Sequence, residues 1–123
     1  RLHNLKPCKP RTMAKTHIIY NVTISVDENQ KSSWINWMLN EHLRDMMGTG
    51  CFLGFRFCEL HTEQDLGPTY TVQYELASKE DLDRYEQKFA TTMRAKGGQK
   101  FGDKALAFRS TMTVLAKGEL RDQ

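Results

Sequence analysis

Several signatures of common functional classes are missing from this 123-residue sequence. No apolar run approaches the roughly 18 residues that a membrane-spanning helix needs. The four histidines show no spacing typical of metal ligands, and the cysteines form no CxxC pair. Glycine-rich nucleotide-binding motifs of the GxGxxG and P-loop types are also missing. We therefore expect no membrane partner, no metal and no cofactor.

Cysteine is sparse and odd in number. Cys8, Cys51 and Cys58 cannot form a complete disulfide framework, and such a content is typical of a reducing compartment. The first twelve residues lack the apolar stretch of a secretory signal peptide. These observations predict a cytoplasmic protein.

Acidic residues are missing from the first twelve positions, which hold Arg1, Lys6, Lys9 and Arg11. The whole chain carries a net charge of +3, with 18 Lys and Arg residues against 15 Asp and Glu residues. Without these four basic residues, 14 Lys and Arg residues remain against the same 15 acidic ones. The folded part is thus not basic, so nucleic acid is not an expected partner. We interpret residues 1–12 as a disordered basic leader, residues 13–116 as the domain and residues 117–123 as a frayed tail. Met13 is a candidate natural start.

Hydrophobic residues repeat with two alternating periods along the predicted domain. The period is two near residues 17–26, 51–61, 69–77 and 105–115, and it is helical over residues 28–47 and after Ser78. The resulting order predicts an α+β, ferredoxin-like βαββαβ fold: a four-stranded antiparallel sheet with two helices on one face. Because residues 51–61 are apolar on both faces, we expect them to form a central strand.

Local signals set the ends of the two predicted helices. Asp27 begins the first helix and Ser78 the second, each with a polar residue three positions later, as in a capping box. Gly48 and Gly50 are expected to end the first helix in left-handed conformations, and Gly97 with Gly98 to stop the second.

The alternation within the strands assigns residues to two faces of the sheet. Tyr20, Val72 and Phe108 are expected to face the helices. The open face is then polar and rich in short hydroxyls, with Ile19, Asn21, Thr23, Ser25, Arg56, Thr71, Gln73, Glu75, Ala107, Arg109, Thr111 and Thr113. We favour a homodimer in which two such faces meet and enclose a barrel. The alternative is a solvated face in which threonine reflects strand propensity.

Five separated segments carry a resemblance to a known family: IIYNVTISVD at residues 18–27, WINWMLNEHL at 34–43, GTGCFLGFRF at 48–57, YTVQYEL at 70–76 and KFGDKALAFRS at 100–110. In this order they resemble a bacterial family of small uncharacterised proteins, a domain of unknown function. The resemblance implies a ferredoxin-like fold of the dimeric α/β-barrel type, whose superfamily includes antibiotic-biosynthesis monooxygenases, muconolactone isomerases and haem-degrading enzymes. It implies no particular reaction.

His42 is the candidate catalytic residue. It lies in the predicted apolar stripe of the first helix, with Ile35, Met38, Leu39 and Met46, where an aliphatic side chain would be usual. A histidine there could act as a general acid or base in the cleft between helix and sheet. The alternative is a structural histidine that bonds a neighbouring backbone or side-chain group.

The candidate ligand-binding residues are polar groups on the strands. Asn21, Gln73 and Glu75 could line a pocket, and Arg56 and Arg109 could hold a carboxylate through their planar guanidinium groups. The alternative is a salt-bridge network at the dimer interface. Tyr20 could line the same cleft as His42, or serve as a core aromatic residue.

Three functions agree with these patterns. The first is a homodimer that binds a small anionic or aromatic molecule in the cleft between sheet and helices. The second is a cofactor-free enzyme of the monooxygenase or isomerase kind with His42 as acid or base. The third is a non-catalytic interaction module without a ligand, for which the cleft would be filled by side chains.

Overall fold

The computed structural model describes residues 17–62 and 65–120. The predicted leader at residues 1–12 and the last residues of the predicted tail lie outside the described part. The chain forms these elements in order: β1 (Ile18–Val26), α1 (Lys31–Trp37), a π-helical turn (Met38–His42), α2 (Leu43–Gly48), β2 (Gly54–Glu59), β3 (Thr69–Leu76), α3 (Lys79–Lys88), α4 (Ala90–Phe101) and β4 (Ala105–Thr113). Short 3₁₀ turns at Glu28–Gln30 and Gly102–Lys104 precede α1 and β4.

The four strands form one antiparallel sheet in the order β2-β3-β1-β4. This topology confirms the predicted ferredoxin-like α+β fold. The expectation of a central strand at residues 51–61 is wrong, because β2 lies at the edge of the sheet. Edge position leaves Phe55, on the helix-facing side of β2, 44% exposed.

The core lies between the sheet and the helices, as the strand periodicity predicts. Tyr20, Val72 and Tyr74 on the two central strands are almost fully buried. Around Tyr20, the rings of Phe52, Tyr74 and Tyr85 lie with centroids 5.5–6.4 Å away. Aromatic clusters at these distances add about 0.5–1.5 kcal/mol per pair beyond the burial of apolar area.

The predicted helix starts have different outcomes. Ser78 caps α3, because its hydroxyl oxygen accepts a hydrogen bond from the Asp81 backbone N–H at 3.2 Å. Asp27 makes no side-chain cap hydrogen bond. Its carboxylate lies 3.5 Å from the Lys104 ammonium group instead, so the predicted capping box at this position is wrong.

The predicted helix ends also differ from one another. Gly50 has a φ of +76°, which confirms its left-handed role after α2, whereas Gly48 ends α2 without a positive φ. Gly97 and Gly98 do not stop the second helix, which continues to Phe101. Gly102 ends it instead, with a φ of +55°.

The facing of β4 is opposite to the prediction. Arg109 pairs with Val22 in the sheet register, and Ala107 pairs with Ile24. Residues directly opposite each other on antiparallel strands share a face, so Arg109 and Ala107 face the helices with Thr111 and Thr113. The prediction that these four residues lie on the open face is wrong.

Large apolar side chains of β4 consequently lie on the open face. Leu106, Phe108 and Met112 are opposite Ser25, Thr23 and Ile19 of β1. Phe108 is 70% exposed in the single chain. The alternation of β4 correctly predicts which of its residues share a face. It does not show which of the two faces points to the core, because here the more apolar face points outward.

Candidate functional site

A cavity of about 330 Å³ lies between the sheet and the helices. Its floor comes from the helix-facing residues of β1, β3 and β4, and its roof comes from the first helix, α3 and α4. Ala105 and Ala107 of β4 line one side. Because alanine side chains are short, this edge strand leaves a space that larger residues would fill. The cleft between Tyr20 and His42 is therefore open.

His42 reaches the cavity from the last position of the π-helical turn. The Leu43 backbone N–H donates to the carbonyl oxygen of Met38, five residues earlier, which accommodates one residue more than an α-helical turn. The extra residue shifts the buried stripe of this helix. Leu39 turns outward and is 56% exposed, contrary to prediction, while Trp37 and Leu43 are buried.

Within residues 17–62 and 65–120, packing positions the imidazole of His42. Its ring stacks on the Trp37 indole with centroids 4.5 Å apart and an angle of 19° between the planes. Its Nδ1 atom is buried and has no hydrogen-bond partner among the described residues. An unpaired buried polar atom costs about 1–3 kcal/mol, so a partner arriving from the cavity would recover that free energy.

Burial also changes the charge state of this residue. It lowers the pKa of His42 from 6.5 to about 4. Asp45 opposes this shift, whereas the positive charges of Lys96 and Arg109 add to it. At neutral pH the imidazole is therefore uncharged, with one nitrogen as donor and the other as acceptor.

Tyr20 lies on the cavity floor and bonds to α4. The Arg94 guanidinium donates to the Tyr20 hydroxyl at 3.0 Å and to the Glu86 carboxylate at the same distance. Sequence reasoning missed Arg94 because it is partly exposed. Its position four residues after the buried Ala90 is the signal that could have placed it beside the apolar stripe.

Two further phenols line the cavity. Burial raises the pKa of Tyr74 and of Tyr85, so both hydroxyl groups stay protonated. Tyr85 donates to the Met46 sulfur at 3.5 Å. Tyr85 thus belongs to the buried core and also faces the cavity.

Arg109 lines the same cavity from β4, because of the register described above. It is the diagonal neighbour of Tyr20 on the helix-facing side of the sheet, since Val22 lies opposite it. Its guanidinium forms no ion pair with any residue in the described ranges. Of the predicted site residues, the structure thus brings together Tyr20, His42 and Arg109.

The other predicted ligand-binding residues lie on the opposite face of the sheet. Asn21, Gln73 and Glu75 alternate with the helix-facing residues of β1 and β3, and Arg56 pairs in register with Gln73. The Glu75 carboxylate bonds His17 Nδ1 at 3.1 Å and Lys117 at 3.4 Å. This face is separated from the cavity by the thickness of the sheet, so these four residues and His42 do not form one site.

The described part of the chain also bears on metal binding and membrane insertion. No group of three or more His, Cys, Asp or Glu side chains there could hold a metal ion. No helix there is long and apolar enough to cross a membrane.

The fold and its cavity define a ferredoxin-like domain. The sequence matches the family model described as domain of unknown function DUF4286 over residues 17–115, so the chain belongs to this family. No curated protein matches the chain in sequence.

Several solved structures share the fold. A dimeric ferredoxin-like protein from an uncultured marine organism has a TM-score of 0.64 and 9% identity, over 85% of this chain and 99% of that one. HapK from Hahella chejuensis has a TM-score of 0.60 and 15% identity, over 87% and 99%. An ethyl tert-butyl ether d (EthD) family protein from Bacillus halodurans has a TM-score of 0.56 and 10% identity, over 76% of this chain and 96% of that one. Likeness at these identities shows the fold alone.

Proposed function

We propose that this protein is a homodimer that binds a small anionic or aromatic molecule in the cavity between sheet and helices. The observation that carries the proposal is an open cavity with apolar walls and an unpaired guanidinium, that of Arg109, at its edge. Binding sites for small molecules typically measure about 300–1,000 Å³ and combine apolar walls with a few converging polar groups. The cavity described here, about 330 Å³ in volume, has both properties.

The role proposed for His42 is that of a neutral hydrogen-bonding group. Its Nδ1 atom is buried without a partner, and its ring orientation is set by Trp37. Because its pKa is about 4, the residue holds almost no proton to give at neutral pH. This argues against the part of general acid at neutral pH, whereas a neutral imidazole keeps the lone pair that a general base or a hydrogen-bond acceptor uses.

The open face of the sheet supports the homodimer. Leu106, Phe108, Met112 and Ile19 form an apolar strip there, and monomeric proteins rarely expose such a strip. A related structure is described as a dimeric ferredoxin-like protein. We assign Arg56 on the same face to the interface rather than to the ligand.

The test fills the cavity without touching the core. A thermal-shift screen of small anionic and aromatic molecules identifies ligands, and calorimetry gives their dissociation constants. Replacing exposed Ala107 by phenylalanine (Ala107→Phe) places a ring in the cavity, and we expect affinity to fall about tenfold or more. Ala95→Phe, at an exposed α4 position outside the cavity lining, is the matched control and should bind normally.

Two results would contradict the proposal. The first is a ligand that binds the Ala107→Phe variant as tightly as the unmodified protein, since its site would then lie elsewhere. The second is the absence of any ligand among anionic and aromatic molecules.

A further inference from the structure

We propose that the ligand of this cavity is a hydroxylated aromatic monoanion of one or two rings, with its carboxylate at Arg109 and its hydroxyl group at His42. This inference rests on the proposed function and narrows it to one chemical class. Three independent properties of the cavity support it: its charge, the chemistry of its walls and its unpaired polar atom.

The charge comes from the side chains that line the cavity. Arg94 and Arg109 are the cations among the described lining residues, and no aspartate or glutamate lines the cavity with them. Arg94 is already neutralised by Glu86, to which it donates at 3.0 Å and 3.3 Å. Of these two cations, Arg109 is the one that has no acidic partner among residues 17–62 and 65–120. Arg109 is exposed at the rim of the cavity, so one negative charge would pair with it there. A second negative charge inside the cavity would have no partner and would pay the desolvation penalty of an unpaired ion.

The walls favour an aromatic ring over an aliphatic one. Rings of Tyr20, Tyr74 and Tyr85 line the sheet side and α3, while Trp37 and Phe101 close the other end with centroids 5.4 Å apart. Offset or edge-to-face contacts between rings add about 0.5–1.5 kcal/mol beyond area burial. A volume of about 330 Å³ is about ten times the share of one water molecule in the liquid, which suits one or two rings.

The unpaired Nδ1 atom of His42 indicates the second polar group that the ligand should carry. His42 lines the cavity, and its buried Nδ1 atom bonds no described residue. A neutral imidazole can accept a hydrogen bond from a phenolic hydroxyl or donate one to it. A neutral imidazole could also donate to a carboxylate, but the carboxylate gains more at Arg109, because a charge-assisted pair with a guanidinium is stronger than a hydrogen bond to an uncharged ring. The carboxylate therefore belongs at Arg109 and the hydroxyl at His42.

A set of matched probes separates these contributions. 4-Hydroxybenzoate is the reference, and each analogue removes one property: 4-hydroxybenzamide the charge, 4-hydroxycyclohexanecarboxylate the aromatic ring and benzoate the hydroxyl. Calorimetry near pH 7.5 at low salt should show 4-hydroxybenzoate as the tightest of the four. We expect the amide to bind about tenfold more weakly or worse, and each of the other two several-fold more weakly.

Arg109 variants test where the charge is recognised. In Arg109→Gln the preference for the acid over the amide should disappear, and Arg109→Lys should restore part of it, because lysine keeps the charge but not the planar fork. Arg56→Gln, on the opposite face of the sheet, is the control and should keep the full preference.

The outcomes distinguish this inference from the proposed function. If the amide or the cyclohexane analogue binds as tightly as 4-hydroxybenzoate, or if Arg109→Gln keeps the preference for the acid, the class is wrong. The class also fails if no probe binds while screening ligands of another class lose affinity in Ala107→Phe, and the cavity then remains a binding site. If no molecule of any class binds, both proposals fail.

Discussion

At the scale of single residues, His42 combines features that are costly for folding. The ring is largely buried against Trp37, its Nδ1 atom is unpaired and its pKa is about 4. In an unfolded chain the same residue would take up a proton below about pH 6.5. The folded protein thus accepts a cost in stability at a residue that lines a cavity. Groups with strongly shifted pKa values are common at functional sites.

This difference predicts an acid-sensitive stability. Between pH 6.5 and about 4 the unfolded chain carries a proton on His42 that the folded protein does not, so the free energy of unfolding falls as the pH drops through this range. The loss has a limit of about 3 kcal/mol. In His42→Leu this part of the loss should vanish, as urea unfolding near pH 7.5 and near pH 4.5 would show.

The matched control is His61→Gln, because the His61 side chain is 87% exposed. It should lose as much stability on acidification as the unmodified protein. An unchanged acid dependence in His42→Leu would contradict the low pKa of His42.

The residues of the candidate site were predictable from the sequence only where the hydrophobic period fixes the direction in which a side chain points. Tyr20 and His42 were expected in one cleft, and both line the cavity. Arg109 was assigned to the wrong face because β4 carries large apolar residues on its open side. Arg94 was missed because a charged residue in a polar helix is usually solvated, and its spacing from Ala90 gains meaning once its tyrosine partner is known.

At the scale of elements, the two glycines inside α4 and the one after it have different conformational roles. Gly97 lies against Trp37, where a Cβ would be 3.5 Å from the indole, while a Cβ on Gly98 would meet nothing within 4 Å. Gly102 has a positive φ that L-residues rarely adopt. The sequence could not separate these roles, since all three are glycines near a helix end.

The three positions make a prediction about stability. Gly98→Ala should raise the free energy of unfolding by about 0.5–1 kcal/mol, because alanine favours the helix and has room there. Gly102→Ala should lower it by about 1 kcal/mol or more, because its φ of +55° strains a side-chain-bearing residue. Urea unfolding of both variants measures these changes. Destabilisation by Gly98→Ala would show that α4 does not continue through this position in solution.

The order and type of the elements were the most predictable part of the fold. Alternation in β1 and β3 reflects a sheet with one buried face, and the helical stripes reflect packing on that face. The π-helical turn was not predictable, because its residues have ordinary helix propensities and the hydrogen bond from Leu43 to Met38, five residues earlier, is visible in the structure and not in the sequence. The edge position of β2 was hidden by its apolar composition.

At the scale of the whole molecule, the proposed homodimer buries the open face of the sheet. Leu106 and Phe108 are 63% and 70% exposed in the single chain, and both lie on that face. The corrected facing of β4 makes this surface more apolar than the hydroxyl-rich face expected from the sequence. Apolar burial there would give the assembly a driving force that short polar side chains do not supply.

A charge in the middle of this surface should separate the subunits. We expect Phe108→Asp to weaken dimerisation about 100-fold or more, since an unpaired carboxylate would be buried in the interface. Sedimentation velocity at micromolar concentration measures the change. Leu39→Asp is the control, because Leu39 is similarly exposed but lies on the first helix. A monomeric unmodified protein, or a Phe108→Asp variant that stays dimeric, would contradict the assignment of the interface.

The π-helical turn has a consequence for comparing members of the family. Such a turn holds one more residue than the α-helix around it, so a relative that lacks this residue would align with a single-position gap between Met38 and Leu43. Its helix would close as a regular α-helix and aim a different side chain between sheet and helices. The presence or absence of that gap would thus sort family members by which position of this helix they offer to a ligand.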